Sequence, residues 1–220
     1  AQRKILDEII DKYNALSIQC LVVLRIELRI SCIYHLDLAT REGEYNIGRS
    51  EIEPDRYIQI LNSKLALYQE KMYIILSDDE LNFVFGGISI LMAHMLIVNT
   101  RHIREFNSYG AEKMIRNVLS LQQNLTNIAL SGESGLDRAR KFYELYLFGV
   151  DGILRHIANE GPNFSFDEYK VLIDFTYQHM LAQPSTEVGA AIDEVGESGV
   201  ASLPPYESTI STLKQLFNVA

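Results

Sequence analysis

Between Ala111 and Leu130 the chain reads AEKMIRNVLSLQQNLTNIAL. Its apolar residues Met114, Val118, Leu121, Leu125 and Ile128 are separated by three or four positions throughout. That spacing sets them on one stripe of an α-helix, which Ile115 and Leu119 widen. The remaining side holds Arg116, Asn117, Gln123, Asn124 and Asn127, polar but mostly uncharged, and predicts a broad amide-rich surface. A chain built from segments of this kind can bury its stripes only by packing them together. The expectation is an all-α fold of stacked up-and-down helical bundles.

A chain of 220 residues buries roughly 70% of its unfolded surface and needs no disulfide or metal to fold. Hydrophobic residues make up 47% and charged residues 22%, the balance of an ordinary globular protein. The formal net charge of −9 opposes nucleic-acid binding, which calls for a basic face. It also opposes attraction of the whole molecule to an anionic membrane, although a local patch can still act. Cys20 and Cys32 both lie in apolar stretches, which predicts buried, reduced thiols in a cytosolic protein. The first residues alternate charge with apolar side chains and show no secretory pattern. They enter in the middle of a helical pattern, as a piece of a longer protein does.

Read in order, Ile5 to Leu38 begins with Ile5, Ile9, Tyr13, Leu16, Cys20 and Leu24 on one helical side. Within it LRIELRIS, Leu24 to Ser31, alternates as a strand does. No turn residue interrupts Leu16 to Leu38, and a strand of that length is unusual. A long helix is therefore predicted, with Leu21, Leu24, Leu28, Cys32 and Leu36 on one buried face and Val23, Ile26, Ile30 and Ile33 on a second. Thr40 to Asp55 reads as a loop, and Tyr57 to Leu76 as a helix. Ser77 with Glu80 forms a capping-box signature for a helix from Leu81 to Phe106. Its apolar run, Leu81 to Val98, barely reaches the length of a membrane span and carries Asn82, His94 and two glycines behind an acidic SDDE. A central core helix is the better reading, with Gly86 and Gly87 admitting a close neighbour.

Asn107 and Ser108 punctuate the chain, as does SGESG at Ser131 to Gly135, where Ser134 reads as a helix cap. A helix follows from Leu136 to about Asn159 and stops at Gly161-Pro162. Ser165 and Glu168 make a second capping box, opening a helix through Tyr169, Leu172, Ile173 and Met180. The organisation expected is a helical region over 1–182, with two sub-bundles divided near 107–110 or 131–135. A flexible acidic linker covers 183–205, and a short helix over 206–220 either docks back or stays loose.

No motif here carries chemistry. The five histidines are scattered, without HExxH or zinc spacing. There is no CxxC pair, phosphate loop or GxSxG elbow. Acidic pairs such as Asp78-Asp79 suit the first turn of a helix. The sequons at Asn124 and Asn163 read as accidental. One cluster remains as a candidate partner-binding site: Arg101, Arg104, Lys113 and Arg116, with His102, flanking the turn before the Ala111–Leu130 helix. Either it receives an anionic partner or lipid headgroup, or it is a solvated group complementing helix ends.

Arg116 to Ile128, RNVLSLQQNLTNI, resembles a signature run of the Sec-eight family of exocyst subunits, also called exocyst complex component four. Cys20 to Leu36, Phe83 to Ile97 and Leu136 to Tyr146, LDRARKFYELY, are similar to further segments of that family in the same order. The resemblance covers roughly Leu16 to Ala158, and Gln183 to Ala220 has no match. It implies a carboxy-terminal part of a rod of stacked helical bundles, with no enzymatic activity and no cofactor. It also implies a complex that holds secretory vesicles at the plasma membrane before SNARE-driven fusion. The partners implied are other exocyst subunits, with small GTPases or SNAREs reached through the complex, and a protein peripheral to the membrane. A free-standing helical adaptor, binding a partner's helix in an apolar groove, remains the alternative.

Overall fold

The computed structural model describes residues 2–128, 135–180 and 204–218. Helix α1 runs Gln2–Glu42, α2 Arg56–Tyr73, α3 Asp78–Phe85, α4 Ile88–Val98, α5 Ser108–Ile128, α6 Gly135–Leu147, α7 Gly149–Glu160, α8 Phe166–Met180 and α9 Tyr206–Phe217. A short 3-10 turn, Asn99–His102, follows α4. The fold is all-α: the described residues contain a single isolated β-bridge, Tyr45 to Phe106, and no strand.

The strand-like alternation at Leu24–Ser31 lies wholly inside α1. Leu28, Cys32 and Leu36 are fully buried there. The predicted second buried face is instead exposed, since Val23, Ile26, Ile30 and Ile33 all face solvent. Two other expectations change at glycines. The predicted helix Leu81–Phe106 breaks into α3 and α4, because Gly87 takes φ +76°, a conformation in which a helix cannot continue. Nothing lies within 4 Å of a Cβ built on Gly87, so the positive φ of the turn, and no close neighbour, accounts for that glycine. The predicted helix Leu136–Asn159 likewise divides at Gly149, with φ +66°, into α6 and α7.

Both capping boxes form. Ser77 Oγ accepts from Glu80 N while Glu80 returns to Ser77 N, and Ser165 and Glu168 repeat the exchange. The Asp78–His102 stretch is long and apolar enough to cross a membrane. Its turn at Gly86-Gly87 and the burial of Ile88, Met92, Ala93, Leu96 and Ile97 place it in the protein core.

One apolar cluster runs from Leu28 to Leu213, with α5 and α6 packed against each other near its centre. The cluster has members on both sides of Asn107, and Phe106 stacks edge-on with Tyr146 at 4.9 Å and Phe175 at 4.8 Å. The expected division at 131–135 falls largely outside the described residues, as do Ser134 and nearly all of the predicted linker. Helix α9 docks back on α7 and α8. Leu213 is fully buried, and Thr209 Oγ1 lies 2.7 Å from Tyr177 Oη.

Candidate interaction surface

Helix α1 is about 60 Å long at a rise of 1.5 Å per residue. Only its carboxy-terminal half is packed on one side. Arg29 donates to Val84 O at 3.2 Å and Gly86 O at 2.7 Å, and Arg25 reaches Phe83 O, so two guanidinium groups cap the orphan carbonyls at the end of α3. Tyr68 of α2 donates to Glu27 at 3.5 Å. From Arg3 to Cys20, by contrast, every side chain is exposed.

The exposed side is not polar. Leu6, Ile9, Tyr13, Leu16, Cys20, Val23, Ile30 and Tyr34 recur at alternating spacings of three and four, with Glu27, where the line comes within reach of Tyr68 of α2, filling the one place between Val23 and Ile30. This is the a/d pattern of a coiled-coil seam. Its apolar members other than Cys20 are 45–68% exposed, and Ile10, Ile18, Ile26 and Ile33 beside them are exposed too. Cys20, expected in the core, belongs to this outer line. Cys32 does lie in the core, where burial pushes its thiol up to about 12. A line of this spacing is the kind helices use to pack on one another. The pattern was visible in the sequence. Its apolar residues made it read as core, and only the packing shows which side of α1 meets the bundle.

The basic cluster is split by the fold. Lys113 is buried: its ammonium pairs with Glu51 at 2.8 Å, donates to Glu44 O at 3.1 Å and sits over the Tyr45 ring. Arg116 turns to the same loop and lies 3.4 Å from Ser50 Oγ. Asn117 completes this arrangement, accepting from Asp55 N at 2.7 Å and donating to Tyr45 Oη at 3.3 Å. These three residues of α5 all reach the 43–55 loop and hold it against the helix. Asp55, the N-cap of α2, is itself buried, and that burial raises its carboxyl above the usual range despite the bond from Tyr57 N and nearby Lys113. Arg101 and Arg104 stay exposed. His102 beside them lies 3.9 Å from Asp37, and both its burial and the cations Arg41 and Arg101 depress its titration.

An open recess of about 850 Å³ lies over the loop, lined by Glu42, Glu51, Glu53, Asp55 and Lys113 among others. Among the described residues no three His, Cys, Asp or Glu side chains converge as metal ligands would. His94 lies exposed on α4. What the surface offers is apolar area and a few charges, the means of binding a protein.

No family model matches the chain. It is 36% identical over 180 residues to exocyst complex component 4 of Dictyostelium discoideum, covering 81% of this chain and 15% of that protein. Against exocyst complex component 4 of Homo sapiens it is 31% identical over 166 residues, covering 74% of this chain and 17% of the relative. Exocyst complex component SEC8 of Arabidopsis thaliana is 32% identical over 167 residues, covering 74% and 16%. The chain thus spans about a sixth of the length of these relatives.

Proposed function

The chain belongs to the exocyst complex component 4 family, and on that premise we propose that it is a structural, non-enzymatic part of the exocyst. In this reading it works in the cytoplasm at plasma-membrane sites of secretion. There it helps to hold secretory vesicles ahead of SNARE-mediated fusion, by contacts with other exocyst subunits and without crossing the membrane. Small GTPases and SNAREs are reached through the assembled complex. The observation that carries the reading is the apolar line along α1, exposed over more than half the helix while the rest of the molecule keeps a closed core. Surfaces of this kind hold proteins together and do no chemistry on their own.

Arg101 and Arg104 supply a second contact in the proposal, with an acidic face of a partner; Lys113 and Arg116 act indirectly, by fixing the loop that α5 holds. Two variants test it in the complete protein. Leu16→Lys with Ile30→Lys removes the apolar line and is expected to abolish co-purification of other exocyst subunits. Arg101→Glu with Arg104→Glu is expected to weaken it, increasingly so as salt is lowered, because like charges then repel with less screening. Unchanged co-purification with the first pair would overturn the reading.

A further inference from the structure

Ser-x-x-Glu, a charge pattern that acid-directed protein kinases read, occurs three times in the chain, at Ser50, Ser77 and Ser165. The fold separates them. Ser77 and Ser165 cap α3 and α8, each hydrogen-bonded to the Glu three residues on. Their acids lie in a first helical turn, folded back on the serine, so a cleft that takes its substrate extended finds neither. A phosphate on Ser77 also meets Asp78 and Asp79, and beside Ser165 the guanidinium of Arg138 is already held by Glu168.

Ser50 stands differently. Residues 46–54 form neither helix nor strand, and Gly48, Arg49, Ser50, Ile52 and Glu53 are exposed. This tip is held at both ends: Asn107 donates to Ile47 O at 2.8 Å, and Asn117 accepts from Asp55 N at 2.7 Å. Glu51 and Glu53 follow the serine at the first and third places in open chain. Ser50 borders the open recess of about 850 Å³, so a larger group has room there. Arg116 stands within reach, its Nη2 3.4 Å from Ser50 Oγ. Its Nη1 is buried and has no hydrogen-bond partner among the described residues. A buried donor left empty costs free energy, and an anion grown on Ser50 Oγ fills it.

We propose that Ser50 is a phosphorylation site and that Arg116 receives the phosphate. In the transfer, Ser50 Oγ bonds to the γ-phosphorus of ATP as the bond to the β-phosphate oxygen breaks. ADP leaves, and the hydroxyl proton passes to the kinase's catalytic aspartate. The product carries about −1.5 to −2 charges and three acceptor oxygens. Guanidinium and phosphate pair through two parallel N–H···O bonds, which occupies Nη1 and Nη2 together. Glu51 and Glu53 push the other way. Glu51 is already paired with Lys113 at 2.8 Å, and Glu53 is exposed and screened, so Arg116 decides the balance. The modified tip is thereby tied to α5.

The test takes the complete protein in two preparations, one purified from its own cells under phosphatase inhibitors and one treated with casein kinase II and ATP. Mass spectrometry is expected to place phosphate on Ser50, with Ser77 and Ser165 unmodified. Ser50→Ala is expected to remove it, and Glu53→Lys to slow its addition about tenfold or more. Phosphorus NMR then reads the second ionisation of the phosphate, ordinarily about 6. Beside Arg116 it is expected to fall to about 5.5 or below, and Arg116→Gln to restore it. Ser50 left unmodified in either preparation overturns the inference, as does phosphate on Ser77 or Ser165 in its place. An ionisation at or above the ordinary value overturns it too, because Glu51 and Glu53 then set the surroundings of the phosphate. Co-purification of other subunits tests the structural role separately, and neither result decides the other.

Discussion

Asn117 lies on the polar side of the α5 stripe, yet none of its surface reaches solvent. Its carboxamide oxygen holds Asp55 N and its amide reaches Tyr45 Oη, so one side chain ties the start of α2 and the 43–55 loop to α5. Asn117→Ala leaves the Asp55 amide without its acceptor and should cost about 1–3 kcal/mol in denaturant unfolding. Asn124, on the same face, donates to Asn62 O at 3.1 Å. Asn117 and Asn124 act as internal glue while Gln123 and Asn127 on the same side are exposed, a division the sequence could not show because both settings use the same residues. The buried imidazoles behave differently. Burial depresses His35 and His179 below the ordinary histidine range, and among the described residues neither His35 nitrogen has a hydrogen-bond partner. A folded-state pKa below the unfolded value of about 6.5 means stability is complete above that pH and lost as pH falls through it. The melting temperature should therefore drop between about pH 7 and pH 5, and His179→Phe should flatten part of that slope. A melting temperature constant across this window would show that the rings charge freely in the fold.

At the scale of elements, most helices were legible because their stripes keep a period of 3.6, and the caps at Ser77 and Ser165 were legible because their partners stand three residues on. Breaks were harder. Gly87 and Gly149 sit inside runs whose apolar spacing continues across them, so periodicity carried the prediction straight through a positive φ that only the backbone reveals. Helix α9 was ambiguous for a further reason: Ile210, Leu213, Leu216 and Phe217 in twelve residues do not say whether a groove awaits them. The fold supplies it. Phe217 stacks with Phe166 and Tyr169 at 5.8 Å each, and Tyr177 Oη donates to Pro204 O at 2.5 Å. Ending the chain before Pro204 should therefore lower the melting temperature by several degrees. Leu213→Ala alone should cost about 2–5 kcal/mol, with each kcal/mol worth about 2–4 °C in a protein of this size. Calorimetry of the truncated and full chains measures this directly, and coincident transitions would mean that α9 contributes nothing.

For the molecule as a whole, the question is why a chain that buries forty-odd apolar side chains leaves a line of them along its longest helix. Hydrophobic burial stabilises at about 25 cal/mol per Å², so the stability of this bundle alone gives no reason to keep aliphatic residues where they stay 45–68% exposed. Their spacing is also not the scatter of ordinary surface residues. The line makes sense as area reserved for association, and that separates two quantities which usually change together. Substituting a core residue lowers stability and, through it, assembly. Substituting the seam should change assembly while stability stays put. For Leu16→Lys with Ile30→Lys, unfolding free energy should remain within about 0.5 kcal/mol of the parent, as for surface sites generally. In the same protein, the apolar surface available to a reporter dye such as ANS should fall and incorporation into the complex should fail. A loss of several kcal/mol would instead mean that these residues already pack within the chain, and that α1 is a strut of the bundle with no outward role.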